Sequence, residues 1–324
     1  MKNLLRLSKL TFLLLIVFSV QSCSDDDDNV TPPPGPSNIV EIAMDTPDLS
    51  NLVAALSAAD GNLVDVLSGG EFTVLAPTNE AFETFLTANG FMSLSDVPTD
   101  ILSNILLNHV ITGTVTSTNL ADAGSGYSTT NATNMDGDNL SLYFDTSSGV
   151  TFNGVSSVAT ADIVASNGIV HVVDEVIGLP TVVTFAVSNP ALSTLVAALT
   201  RDDLTEDLVS ILSTTDEPSP FTVFAPTNDA FGSLLAELGL NALGDIPLST
   251  LEATLGTHVV PGANVRSTDL VDGMSVTTIG SPINVSLSNG AKLIDSSGRE
   301  SNIVAVDLQA YNGVVHVIDN VLLP

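Results

Sequence analysis

Apolar residues recur at helical spacing in some stretches of this chain and at strand spacing in others. Leu49, Leu52, Val53 and Leu56 stand at i, i+3, i+4 and i+7, and Leu192, Leu195, Val196 and Leu199 repeat the pattern. Each set predicts a short helix with one buried face. Thr46-Pro47 and Asn189-Pro190 put a capping residue before a proline at the first helical position. Phe72 to Leu75 reads as a short strand, and Pro77 ends it because proline cannot donate to a ladder. Thr78 or Asn79 can cap the next helix, with Glu80 in its positive first turn and Phe82, Phe85 and Leu86 on its buried face. After Pro98 a further helix carries Leu102, Ile105 and Leu106. The pattern then turns to β. Asn139 to Phe144 alternates, Asp136-Gly137 and Asn153-Gly154 are hairpin signals, and Ile169 to Val173 is apolar on both faces, as a central strand is. Helices followed by a hairpin-rich sheet predict the α+β class.

The same unit is written twice. Leu52 to Leu56 recurs as Leu195 to Leu199 at an offset of 143. Phe72 to Phe82 recurs as Phe221 to Phe231 at an offset of 149, and His109 as His258 at the same offset. Asn167 to Asp174 recurs as Asn312 to Asp319 at an offset of 145. The small changes of offset place insertions between motifs, where loops are expected. The period fits a duplicated domain and is too long for a solenoid repeat. The expected organisation is a first domain at 38–180 and a second at 181–324.

Residues 1–23 read as a lipoprotein signal peptide. Lys2, Arg6 and Lys9 precede an apolar run from Leu10 to Val20, too short to span a bilayer. Val20-Gln21-Ser22-Cys23 resembles the lipobox of bacterial lipoproteins, with Gln21 a loose match. That resemblance implies lipid attachment at Cys23. Residues 24–37 carry Asp25 to Asp28 and then a proline-rich run, an extended tether that cannot bury a core. The acidic stretch after the cysteine resembles the export signal of surface lipoproteins. The expected location is the bacterial outer membrane, lipid-anchored and at the cell surface, with membrane contact only through the lipidated N-terminus.

Charge narrows the partners. Beyond the signal segment 4 basic residues face 37 acidic ones. Such a surface repels phosphate, so no nucleic-acid partner is expected. Residues 37–180 hold 17 acids and no Lys or Arg, whereas 181–324 hold 16 acids and all four bases, which suggests that the copies differ in partner. The single cysteine removes disulfides and cysteine-ligated metals.

Phe72–Phe82 and Asn167–Pro180, with their copies Phe221–Phe231 and Asn312–Pro324, resemble the two signature motifs of fasciclin domains. The second copy matches almost letter for letter; the first departs at Leu75, Val173, Ile177 and Gly178. The resemblance implies two tandem fasciclin-like domains, each a β-wedge or sandwich with a helical layer. It also implies extracellular adhesion to proteins or matrix polymers without catalysis. In several animal members a Tyr-His pair between the motifs is linked to integrin binding. The matching positions here are Asn108-His109 and Thr257-His258, so the tyrosine is absent and integrin binding is not carried over. These four residues remain the candidate ligand contacts.

Other chemistry is weighed on the residues. His171 lies mid-strand between valines, where a hydrogen-bonded core role is expected, with Asp174 or a backbone carbonyl as partner. His109 falls seven after Leu102, in line with the apolar face, where a structural role is expected ahead of a ligand-facing one, and near a helix C-terminus, whose dipole favours the charged ring. Neither has a second ligand at metal-binding spacing. No hydrolase elbow, zinc-protease motif or phosphate loop is present, so no enzyme activity is expected. Asn134 to Asn139 has the look of a calcium loop but lacks the distal Glu and falls where a hairpin turn is needed. No cofactor is expected beyond weak Ca²⁺ binding to the acidic surface. The partner is expected to be an extracellular protein or a polysaccharide, the latter, for nutrient capture, favoured if Tyr127, Tyr143, Tyr311 or Phe residues line an exposed groove; a structural envelope role is the remaining alternative.

Overall fold

The computed structural model describes residues 36–288 and 290–324. The signal segment, Cys23 and residues 24–35 of the tether lie outside them. Residues from Pro36 to Pro324 form one compact unit built from two copies of the same layered arrangement.

The first copy opens with helices α1 (Ile39–Asp45), α2 (Ser50–Ala58) and α3 (Leu63–Gly69), then strand β1 (Phe72–Pro77). Helices α4 (Asn79–Ala88) and α5 (Thr99–Asn108) lead to β2 (Val110–Thr112), α6 (Ser117–Ala123) and a long hairpin of β3 (Ser125–Thr133) and β4 (Asn139–Asp145). Strands β5 (Thr151–Phe152), β6 (Ser156–Ala165) and β7 (Gly168–Val173) complete it. β7 is the central strand that its two apolar faces predict: it runs parallel to β1 and antiparallel to β6. Each strand pairs with the next, so the seven close into a barrel. Leu49, Leu52, Leu102, Ile105 and Leu106 fill the helical side of the core, against Val74 and Val170.

The second copy repeats this with α7 (Val182–Ser188), α8 (Ser193–Leu199), α9 (Leu208–Ser213), β8 (Phe221–Pro226), α10 (Asn228–Leu238), α11 (Leu248–Thr257) and β9 (Val259–Pro261). Its remaining strands are β10 (Ser275–Val276), β11 (Ile283–Ser286), β12 (Lys292–Ile294), β13 (Glu300–Ala310) and β14 (Gly313–Ile318). Their order is β10-β11-β12-β13-β14-β8-β9, and the sheet stays open between β9 and β10.

The two helix starts differ from the expectation. Pro47 and Pro190 each begin a single 3₁₀ turn that leads into the next helix. An earlier helix, α1 or α7, precedes each. Asn189 does cap its turn through Ala191 N–H, whereas Thr46 turns back to the Ile42 carbonyl. Both hairpin signals hold: Gly137 sits at φ +85°, and Asn153 and Gly154 both have positive φ, the backbone that a tight two-residue turn requires.

Candidate functional site

The signature motifs are occupied by the fold itself. Thr78 caps α4 through Ala81 N–H at 3.2 Å, and Thr227 does the same for α10. Asn79 instead reaches back to the start of α2. Its Oδ1 accepts from Asn51 N–H at 2.8 Å and its Nδ2 donates to the Pro47 carbonyl at 3.0 Å. Asn228 makes the matching bonds to Thr194 and Pro190. Asn167 ties three segments together, accepting from Ile39 N–H and donating to the carbonyls of Leu67 and Gly70. Asn312 repeats this with Val182, Leu212 and Thr214. Gly168 has φ +146°, and a Cβ there would stand 1.8 Å from the Phe72 carbonyl oxygen. Gly313 is equally confined at φ +149° and 2.0 Å from Phe221 O. Only glycine fits either place.

The histidines are equally committed. His109 donates from Nδ1 to the Ile105 carbonyl at 2.8 Å, and its Nε2 accepts from Ile177 N–H at 2.9 Å. His258 does so with Thr254 and Leu322. These partners require the neutral Nδ1–H ring. Burial drives both pKa values down to about 4, against a weaker opposing pull from the backbone carbonyl. The helix-dipole argument for a charged His109 is therefore corrected: desolvation outweighs the dipole. His171 and His316 donate to the carbonyls of Val115 and Val265 and accept from Asp162 and Asp307 N–H. A backbone carbonyl is thus the partner of His171; Asp174 accepts from Ser157 N–H instead.

The candidate contacts Asn108, His109, Thr257 and His258 are all buried, at 0%, 1%, 0% and 2% exposure. This corrects the expectation that they face a ligand. Asn108 donates to the Ile177 and Gly178 carbonyls and accepts from the Thr130 hydroxyl, holding β3. Thr257 bonds Ala253 O and Ser281 N–H. His109 and His258 border small apolar hollows beneath α1 and α7, and no nucleophilic side chain lines either.

The calcium-like loop is the turn of the β3–β4 hairpin, and it meets the second copy. Asn134 Oδ1 accepts from the N–H groups of Asp136 and Asp138, while its Nδ2 donates to Gln309. Asp138 pairs with Arg266 at 2.7 Å, and Asp136 accepts from Asn264 at 3.0 Å. Ser141 accepts from Gln309 N–H at 3.0 Å. Tyr127 packs edge-on to Phe185 of α7 at 5.7 Å and accepts from Asn189. Burial raises its phenol to about 12. Arg201, Lys292 and Arg299 pair with Asp203, Glu300 and Glu237. All four bases of residues 36–324 are thus engaged in intramolecular ion pairs.

Two hollows of mainly apolar lining open on the surface. One is an apolar groove of the second copy, lined by Leu204, Leu208, Ile211 and Ile279. The other is a cleft of about 600 Å³ where the copies meet. Phe85, Phe91 and Glu175 of the first copy line it, with Thr215 and Tyr311 of the second. Among the described residues no group of His, Cys, Asp or Glu is arranged to hold a metal, and no single helix is long and apolar enough to cross a membrane.

Sequence and fold comparisons agree with this architecture. The fasciclin domain pattern matches residues 47–180 and 190–324. The chain is 36% identical to Synechocystis protein sll1735 over 146 residues, 45% of this chain and 98% of that one. It is 43% identical over 94 residues to the cell surface glycolipoprotein MPB83 of Mycobacterium bovis, covering 25% of this chain and 41% of that one. The fold is similar to a FAS1 domain pair from the insect cell adhesion molecule fasciclin I. That match has a TM-score of 0.52 and 20% identity over 86% of this chain and 97% of that one. A duplicated signature whose capping Thr, tying Asn and buried His side chains serve the same bonds in both copies, matched over both domains, places this chain in the fasciclin domain family.

Proposed function

We propose that this protein is a non-catalytic adhesion or binding protein of the bacterial outer membrane, anchored through lipid on Cys23 and displayed at the cell surface. The observation that carries the reading is the commitment of the signature residues and all four histidines to the fold, which leaves recognition to the surface between and around two joined domains. Fasciclin domains are associated with adhesion and surface binding, and the names of the mycobacterial and insect relatives agree with that use. The tether lifts the folded unit away from the anchoring lipid. The test is binding of the full chain in detergent micelles to arrays of glycans and matrix proteins, with Ca²⁺ and with chelator. A saturable ligand supports the reading, and a blank array in both conditions contradicts it. Cell fractionation checks the anchor: Cys23→Ala is expected to move the protein out of the membrane fraction.

A second reading, capture of a surface polysaccharide, is favoured by the half-buried aromatics of the junction cleft. Tyr127 and Tyr143 do not serve it, because both rings are packed at the domain contact.

A further inference from the structure

We propose that the cleft between the two domains is a binding site for an uncharged oligosaccharide, an inference that rests on the surface-binding reading. The site exists only in the pair, because each copy supplies part of its wall. Phe85, Phe91 and Tyr311 are half-buried there, and among the described residues none takes part in an aromatic pair. Beside them stand polar groups that have no internal work. The hydroxyls of Thr84, Thr215 and Tyr311 and the carboxylate of Glu175 make no side-chain hydrogen bond among the described residues.

An apolar, aromatic wall with a few free hydroxyl and carboxylate groups suits a pyranose ring, which has a C–H face and a hydroxyl edge. The charge of the lining selects among sugars. It contains no basic residue and a single acid, within a chain of net charge −30. Sulfated and uronate polymers would meet only repulsion there. The lining also lacks the clustered acids that would draw a basic peptide.

The experiment titrates the full chain in micelles with neutral glucan, xylan and mannan oligosaccharides, with sulfated and uronate oligosaccharides, and with an apolar peptide. Thr84→Arg and Thr215→Arg fill the cleft from exposed positions, and Thr277→Arg is an exposed control outside it. The expected result is saturable binding of a neutral oligosaccharide, weakened at least about tenfold by either cleft variant and unchanged by the control, with thermal melting unaltered. Neutral-sugar binding that both cleft variants retain overturns the site. Binding of a matrix protein, charged glycan or apolar peptide in place of neutral sugars overturns the ligand class and leaves the surface-binding reading standing. No binding to any probe or array member overturns both.

Discussion

The two copies share their signature bonds, and among their differences are two positions one helical turn apart on the helix that faces β3. In the first copy Asn104 on α5 clamps the end of β3, accepting from Thr133 N–H at 3.0 Å and donating to its carbonyl at 2.8 Å. Asn108, one turn on, accepts from Thr130 of the same strand. The second copy has Ala253 and Thr257 there. Neither reaches a strand. Instead Gly280 lies so close that a Cβ would stand 2.6 Å from Thr257 N and 2.8 Å from the Ala253 carbonyl. Where β3 has nine residues, β10 has two. The first copy therefore closes its barrel and gains a long hairpin, and that hairpin is what docks on the second copy. The two copies thus keep one scaffold and differ where the first builds the hairpin that meets the second.

The shared scaffold is the place to expect the largest effects. Gly168→Ala and Gly313→Ala are each expected to cost more than about 4 kcal/mol, because the new Cβ collides with backbone. Chemical denaturation checks this, and a mild effect in one copy only would break the equivalence of the two scaffolds. Next comes acid. The unfolded chain protonates its histidines near pH 6.5, whereas His109 and His258 stay neutral in the fold down to about 4. Their folded pKa values are depressed, so the unfolded state binds more protons across that window. The contribution of these rings falls as the pH drops from 6.5 to 4 and levels off below, by roughly 3 kcal/mol per ring. Melting curves across this range, repeated on the His109→Gln and His258→Gln variants, should show the slope shrink by similar amounts in both copies.

The features that separate the copies should have smaller effects. Tyr127→Ala removes a ring packed on Phe185 and is expected to destabilise the pair by about 2 kcal/mol, read as separation of one melting transition into two. Asn104→Ala gives the first copy the residue of the second, and losing the clamp should cost about 1–3 kcal/mol. Hydrogen exchange should quicken along β3 and leave β10 unchanged. The smallest effect belongs to Arg266→Ala, which removes a partly exposed ion pair with Asp138; it should disappear in high salt.

Much of this was legible in the sequence. The helical faces, the turn at Asp136-Gly137 and the central strand at Ile169 to Val173 follow from periodicity and turn chemistry, which are local. His109 stands seven after Leu102 in line with the apolar face, so its buried place was legible, but its bond to Ile177, 68 residues away, was not; nor was the burial of Asn108, whose partner Thr130 lies 22 residues away. Polar residues at the end of an amphipathic helix read equally well as surface. The same holds for Asp138: its acidic loop resembles a cation site, and the cation proves to be Arg266, 128 residues distant. Apolar neighbours were a better guide than residue type, since Leu106 and Val110 flank the buried pair. The junction cleft had no signal at all, being assembled from segments as far apart as Phe85 and Tyr311.

The most direct test of the hairpin's role is the measurement of residual dipolar couplings on residues 36–324. Amides of both copies should fit one alignment tensor, and Tyr127→Ala should split it into two. Two independent tensors in the unsubstituted protein would contradict the claim that the first copy's hairpin locks the domains into one body.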